Sequence, residues 1–213
     1  RNPVSRAVVM PTPADAYAEL VRRSRSLALL NSASAVLGWD QQTYMPKGGA
    51  ELRGDQLALL AGMAHEKAVD PKLGELLVVV EGSPLVADPD SIEAANVREW
   101  RHGYDRATKL PARLVEELAQ VTTRAQEAWQ ESRAKNHFPT FQPWLEKVLA
   151  LKKEEADAVG WKAHRYDALL DEYEPGTTAA DVEKLFAELS KEVVPLIAAI
   201  RESGRTPRTE VLH

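Results

Sequence analysis

Apolar residues recur at intervals of three and four along almost the whole 213-residue chain, and the single strand-like run has no second run to pair with. Residues 72–80 are short and rich in valine, yet without a partner strand they are predicted to form a short helix. The first helix is predicted to start at Thr12-Pro13, an N-cap followed by proline at the first helical position. Tyr17, Leu20, Val21 and Leu27 share one face, and Arg22, Arg23 and Arg25 the other. From Leu29 through Ala33, Val36 and Leu37 the stripe widens, which predicts cover on more than one side. Pro46 and Gly48-Gly49 should stop the helix near Met45. A second helix over about 50–67 carries Leu52, Leu59, Leu60 and Met63 before Asp70-Pro71 breaks it.

Asp88 to Asp90 should open the next helix, which bears Ile92, Val97, Trp100 and Tyr104. Pro111 reads as the first position of another, with Leu114, Leu118, Val121, Ala125 and Trp129 in its stripe. Phe141, Trp144, Leu145, Val148 and Leu151 belong to a helix that ends at Gly160. Thr178 and Asp181 resemble a capping box before Val182, Leu185, Phe186, Leu189, Val193, Leu196, Ile197 and Ile200. Pro195 should kink or split that last helix, and Gly204 should end it. Seven or so helices without a sheet make an all-α, multi-helix bundle. Met10 reads as a natural start, so residues 1–9 are an upstream segment and residues 10–213 a single helical unit, expected to be an incomplete domain.

The chain has no cysteine, which excludes disulfides, thiolate metal sites and cysteine nucleophiles. Twenty-seven Lys and Arg against 32 Asp and Glu give a net charge of −5, so there is no basic footprint for nucleic acid. No apolar run approaches the length of a membrane helix, and no secretory signal follows Arg1, so the expected location is the cytoplasm.

The five histidines are scattered. His65-Glu66-Lys67-Ala68-Val69 approaches the zinc motif HExxH, but Val69 stands in place of the second ligand, and His65 reads as a surface or half-buried side chain. Glu99/His102 and Glu210/His213 have the ExxH spacing of carboxylate-bridged metal bundles, a spacing expected once or twice by chance. Asp167 and Asp171, four apart, would share one side of a helical turn, either as a metal or acid/base pair or as connector acids that cap and pair. Gly48-Gly49 lacks the other elements of a phosphate loop. Trp39, Trp100, Trp129, Trp144 and Trp161 read as core anchors.

Two long strings resemble the thermostable-carboxypeptidase (M32) family of metallopeptidases. One is Leu37-Gly38-Trp39-Asp40-Gln41-Gln42-Thr43-Tyr44-Met45-Pro46 with Gly48-Gly49 and Arg53, similar to that family's WDQxTYMP segment. The other, residues 164–176, is similar to its HPYDALLDxYEPG segment, with Arg165 in place of proline. The resemblance covers about residues 10–212. It implies the N-terminal helical part of a longer, zincin-like, homodimeric enzyme that removes single residues from peptide C-termini. Its divalent metal, zinc or cobalt, would be held by an HExxH and a later Glu beyond the equivalent of His213. No catalytic, cofactor-binding or metal-ligand residue carries over to this chain. Trp39, Asp40, Tyr44, Tyr166 and Asp167 would line one wall of the peptide groove. A stand-alone helical binding or scaffold module is the alternative.

Overall fold

Thr12 does cap the first helix: its hydroxyl accepts the Asp15 N–H, and Pro13 opens α1 (Pro13–Thr43). Thirty-one residues make this rod roughly 46 Å long. The computed structural model describes residues 11–46, 48–205 and 209. The upstream segment 1–9, Glu210 and His213 lie outside the described residues. All regular structure among the described residues is helical: α2 (Ala50–Ala68), α3 (Pro71–Glu81), α4 (Ile92–Ala107), α5 (Ala112–Lys135), α6 (Gln142–Val159), the short α7 (Asp167–Leu170) and α8 (Ala179–Glu202), with two single 3-10 turns. The chain divides into two compact units, one ending at Val159 and one beginning at Gly160.

In the first unit, one apolar cluster joins Ala16 and Leu20 of α1, Leu76, Leu77 and Val80 of α3, and Val97 of α4. The valine-rich run is therefore a helix, as predicted, and it buries Leu77 and Val80 completely. Each such side chain contributes about 1.5–3 kcal/mol by leaving water. Trp100 packs on this cluster 5.7 Å from Tyr17, and its indole N–H donates to Ser24 Oγ at 3.0 Å. A second cluster joins Leu114 and Val121 of α5 to Leu151 of α6.

Where α2 meets α5, its most extensive partner, the expected stripe is mostly turned away, with only Leu60 half-buried. Leu52, Leu59 and Met63 are exposed, while the buried positions are Ala50, Gly54, Gly62 and His65. Glycine lets the helices approach closely, since a Cβ on Gly62 would sit 2.7 Å from Glu116 Oε1. His65, expected at the surface or half-buried, is buried. The second half of α1 also departs from expectation. Leu29, Val36 and Trp39 are exposed, because α3 packs on the first half of the rod and no residue beyond Leu20 is buried.

Smaller corrections concern helix starts. Ser91, not the aspartates at 88 and 90, caps α4, because its side chain accepts the Ala94 N–H. Pro111 sits at the N-cap of α5 with an extended ψ of 138°, so Ala112 is the first helical residue.

The second unit contains α7 and α8. The capping box at Thr178 and Asp181 is complete. Pro195 does not split α8, which runs unbroken to Glu202. Its apolar stripe is exposed from Leu185 to Ile200.

Candidate functional site

The last turn of α1 ends by folding back on itself. Thr43 Oγ1 donates to the Trp39 carbonyl at 2.8 Å, and the N–H groups of Tyr44 and Met45 both reach the Asp40 carbonyl at 2.9 Å. Gly48 has φ of +89°, a region costly for residues with a side chain. Gly49 lies so close to the loop that a Cβ would meet Met45 Cγ at 3.0 Å. These two glycines turn the chain into α2, and Arg53 then reaches back. Its Nη2 donates to Asp40 Oδ2 at 2.6 Å, its Nη1 donates to the Leu37 carbonyl, and its Nε donates to Gln56 Oε1 at 3.1 Å. The Arg53 side chain is only 11% exposed, so water screens these bonds weakly. From the other side Gln41 Nε2 donates to the Thr123 carbonyl of α5 at 3.4 Å.

With the backbone and Asp40 held in this way, the two aromatic rings remain outside. Trp39 and Tyr44 lie edge to face with centroids 5.5 Å apart, and they are 58% and 75% exposed. That arrangement leaves two apolar surfaces with polar edges in solvent. Trp39 is therefore not a core anchor. Trp129 and Trp161 are about half exposed as well, leaving Trp100 and Trp144 as the tryptophans packed on cores. On the opposite flank of the same segment, Gln41, Met45 and Pro46 join Glu51, Arg124 and Trp144 around a hollow of about 920 Å³. Arg124 Nε is buried there without an acceptor, and its Nη2 stands 3.7 Å from Asp55.

Tyr166 and Asp167 belong to the second unit. Asp167 accepts the His164 N–H at 3.1 Å through Oδ2 and the Ala179 N–H at 2.8 Å through Oδ1, so it ties α7 to the first turn of α8. Asp171 accepts the Gly176 N–H at 3.2 Å. Both acids accept backbone N–H groups, as connector acids do, while Tyr166 and Tyr173 nearby are exposed. Tyr166 is half exposed at the N-cap of α7. Arg165, which stands where the family string has proline, lays its guanidinium 6.0 Å from the centre of the Trp161 ring.

Among the described residues no three His, Asp or Glu side chains come together in a way that could hold a metal ion. The Arg53 clamp was only half visible in sequence: Arg53 belongs to the first string, but nothing in the spacing pairs it with Asp40. The hollow around Arg124 has no sequence signal, since its walls come from helices more than 70 residues apart.

Among the described residues all regular structure is helical, and both strings lie at helix ends with defined hydrogen bonding. The Carboxypeptidase Taq (M32) metallopeptidase family model matches residues 19–213, and the chain belongs to that family. Thermostable carboxypeptidase 1 of Thermus thermophilus is 45% identical over 211 residues, 95% of this chain and 41% of the relative. Thermostable carboxypeptidase 1 of Pyrococcus furiosus is 34% identical, over 92% of this chain and 38% of the relative. The BsuCP crystal structure superposes with a TM-score of 0.81 at 29% identity, covering 91% of this chain and 39% of that one. The chain thus spans about two fifths of the length of the relatives it matches.

Proposed function

We propose that these 213 residues are part of a metal-dependent carboxypeptidase that removes single residues from peptide C-termini. The family match over residues 19–213 carries this reading, because it extends through both strings at once. The whole enzyme uses a divalent metal, zinc or cobalt, works as a homodimer in the cytoplasm, and takes peptides as substrates. Within it, Trp39 and Tyr44 present a wall to the peptide, Asp40 holds that wall from behind, and Tyr166 with Asp167 contributes a further exposed ring. The chain contains no HExxH, so it supplies neither a pair of histidine ligands one helical turn apart nor the glutamate that would take a proton from a metal-bound water. By itself it does not hydrolyse peptides.

The test is amino-acid release from blocked peptides with zinc or cobalt added. A protein of the relatives' length that includes these residues releases C-terminal amino acids and stops when a chelator is added, whereas the 213-residue chain releases none. Chelator-sensitive release by the 213-residue chain alone would overturn the reading and point to His164, Asp167 and Asp171. No release by the longer protein would favour a helical scaffold without catalysis.

A further inference from the structure

Arg53 does more than stabilise the first unit. We propose that it is a positioning residue: by gripping the Leu37 carbonyl and the Asp40 carboxylate, it fixes the Trp39–Tyr44 pair in the one orientation in which both rings can hold an apolar peptide side chain. The proposal deepens the groove-wall reading and rests on it for the peptide.

The geometry gives Arg53 the larger share of this task, with Gln41 adding one longer hydrogen bond to the Thr123 carbonyl. A helix end frays unless something outside the helix holds it, and this end contains Gly38, which costs helix stability and has open space around its Cα, with no heavy atom within 4 Å of where a Cβ would stand. Arg53 touches the chain on both sides of Gly38 and Trp39, at residues 37 and 40. Asp40 then transmits the hold, because its own carbonyl accepts the N–H groups of Tyr44 and Met45. Trp39 is linked to the same turn through Thr43, whose hydroxyl donates to its carbonyl. Both rings are thus anchored through backbone that Arg53 reaches, while the rings themselves stay in solvent. A lysine could keep the charge but not the fork, which needs two donors in one plane. The guanidinium is engaged by the Leu37 carbonyl and the Asp40 carboxylate, so what the supported face presents through this pair is the two exposed rings, which favour an apolar or aromatic side chain.

The experiment uses the 213-residue chain labelled with 5-fluorotryptophan, the Trp39 resonance being assigned by its loss in Trp39→Phe. In Arg53→Gln and Asp40→Asn the Trp39 signal shifts or broadens, the other four tryptophans keep theirs, and far-UV circular dichroism is unchanged. Arg53→Lys gives a smaller change of the same kind. A Trp39 signal unmoved in both variants overturns the proposal, and so does a movement of all five together, which marks a general structural role. In parallel, a peptide with a C-terminal phenylalanine is titrated, with an acidic peptide as control. Arg53→Gln weakens its binding about tenfold. If the unsubstituted chain binds neither peptide while the Trp39 signal behaves as expected, the wall reading fails and the positioning role of Arg53 stands.

Discussion

Glu155 of α6 is a carboxylate in the interior, only 4% exposed, and its removal should be among the most damaging single changes in the first unit. Its Oε1 accepts from Arg106 Nη2 of α4 at 2.7 Å and its Oε2 from Lys152 Nζ at 2.7 Å. The side chains of Arg106 and Glu155 are 13% and 6% exposed, so the pair is screened little by water. Removing one partner of such a pair costs about 3–5 kcal/mol. Lys152 is 39% exposed and can turn to solvent, which places Glu155→Ala near the lower end, at about 3 kcal/mol. Glu155→Gln keeps the shape and one acceptor and should lose about half as much. The decisive comparison is the double variant Arg106→Met/Glu155→Leu. Replacing both charges by apolar groups of similar volume removes the pair without leaving one of its two members facing an apolar group, so this variant should fall within about 1 kcal/mol of the parent. Urea unfolding followed by circular dichroism reads all of these from the shift in midpoint at constant slope. A loss under about 1 kcal/mol in Glu155→Ala, or a double variant as unstable as the single, would refute the reasoning.

Gly74→Ala should lower the melting temperature, because the new methyl would lie 2.8 Å from Tyr104 Oη and 3.0 Å from its Cζ; the overlap costs about 1–3 kcal/mol against a helix gain of at most about 1. Gly103→Ala, with open space around it, should raise it, and calorimetry giving the reverse order would contradict the packing described for α3 and α4. The carboxyl of Glu19 is drawn down from 4.5 to about 2 by its hydrogen bond from Arg22 and then by that from Arg23. Its folded value lies below its unfolded one, so its contribution to stability is complete above pH 4.5 and drains as pH falls toward 2; a carbon-13 NMR midpoint near 4.5 for Glu19 would be inconsistent with this. The exposed stripe of α8, including Phe186, Leu189, Leu196 and Ile200, should make the 213-residue chain bind a hydrophobic dye or self-associate. Leu189→Asp with Leu196→Asp should abolish this, and a dye-negative monomer at high concentration would count against it.

Features that depend on neighbours in sequence were legible from the start. Thr12 with Pro13, the Thr178–Asp181 box, and the glycines at 160 and 204 with φ of +90° and +61° all act where the residue pattern placed them. The valine-rich α3 was recoverable for a different reason: a strand needs a partner, and none existed. What failed depended on which face met a distant helix. The leucines of α2 form a better apolar stripe than its glycines, yet the glycines face α5 because only they let it come close. Trp39 looked like an anchor because tryptophan usually is one, and nothing local reveals that α1 is packed on one side at that level. The first string was recognisable as a unit, but its mechanics required seeing Arg53 return to Asp40.

The glycine face of α2 also has a consequence for register. A helix that meets its neighbour through large side chains is held against sliding by the shape of its knobs, but Gly54 and Gly62 leave the α2 side of that contact smooth. Its axial position therefore depends on polar stops beside those glycines. Gln120 of α5 donates to Asp55 at 2.8 Å on one flank, and Arg53 holds the end of α1 on the other. In this part of the molecule packing sets how near the helices lie, and hydrogen bonds set where along each other they stop.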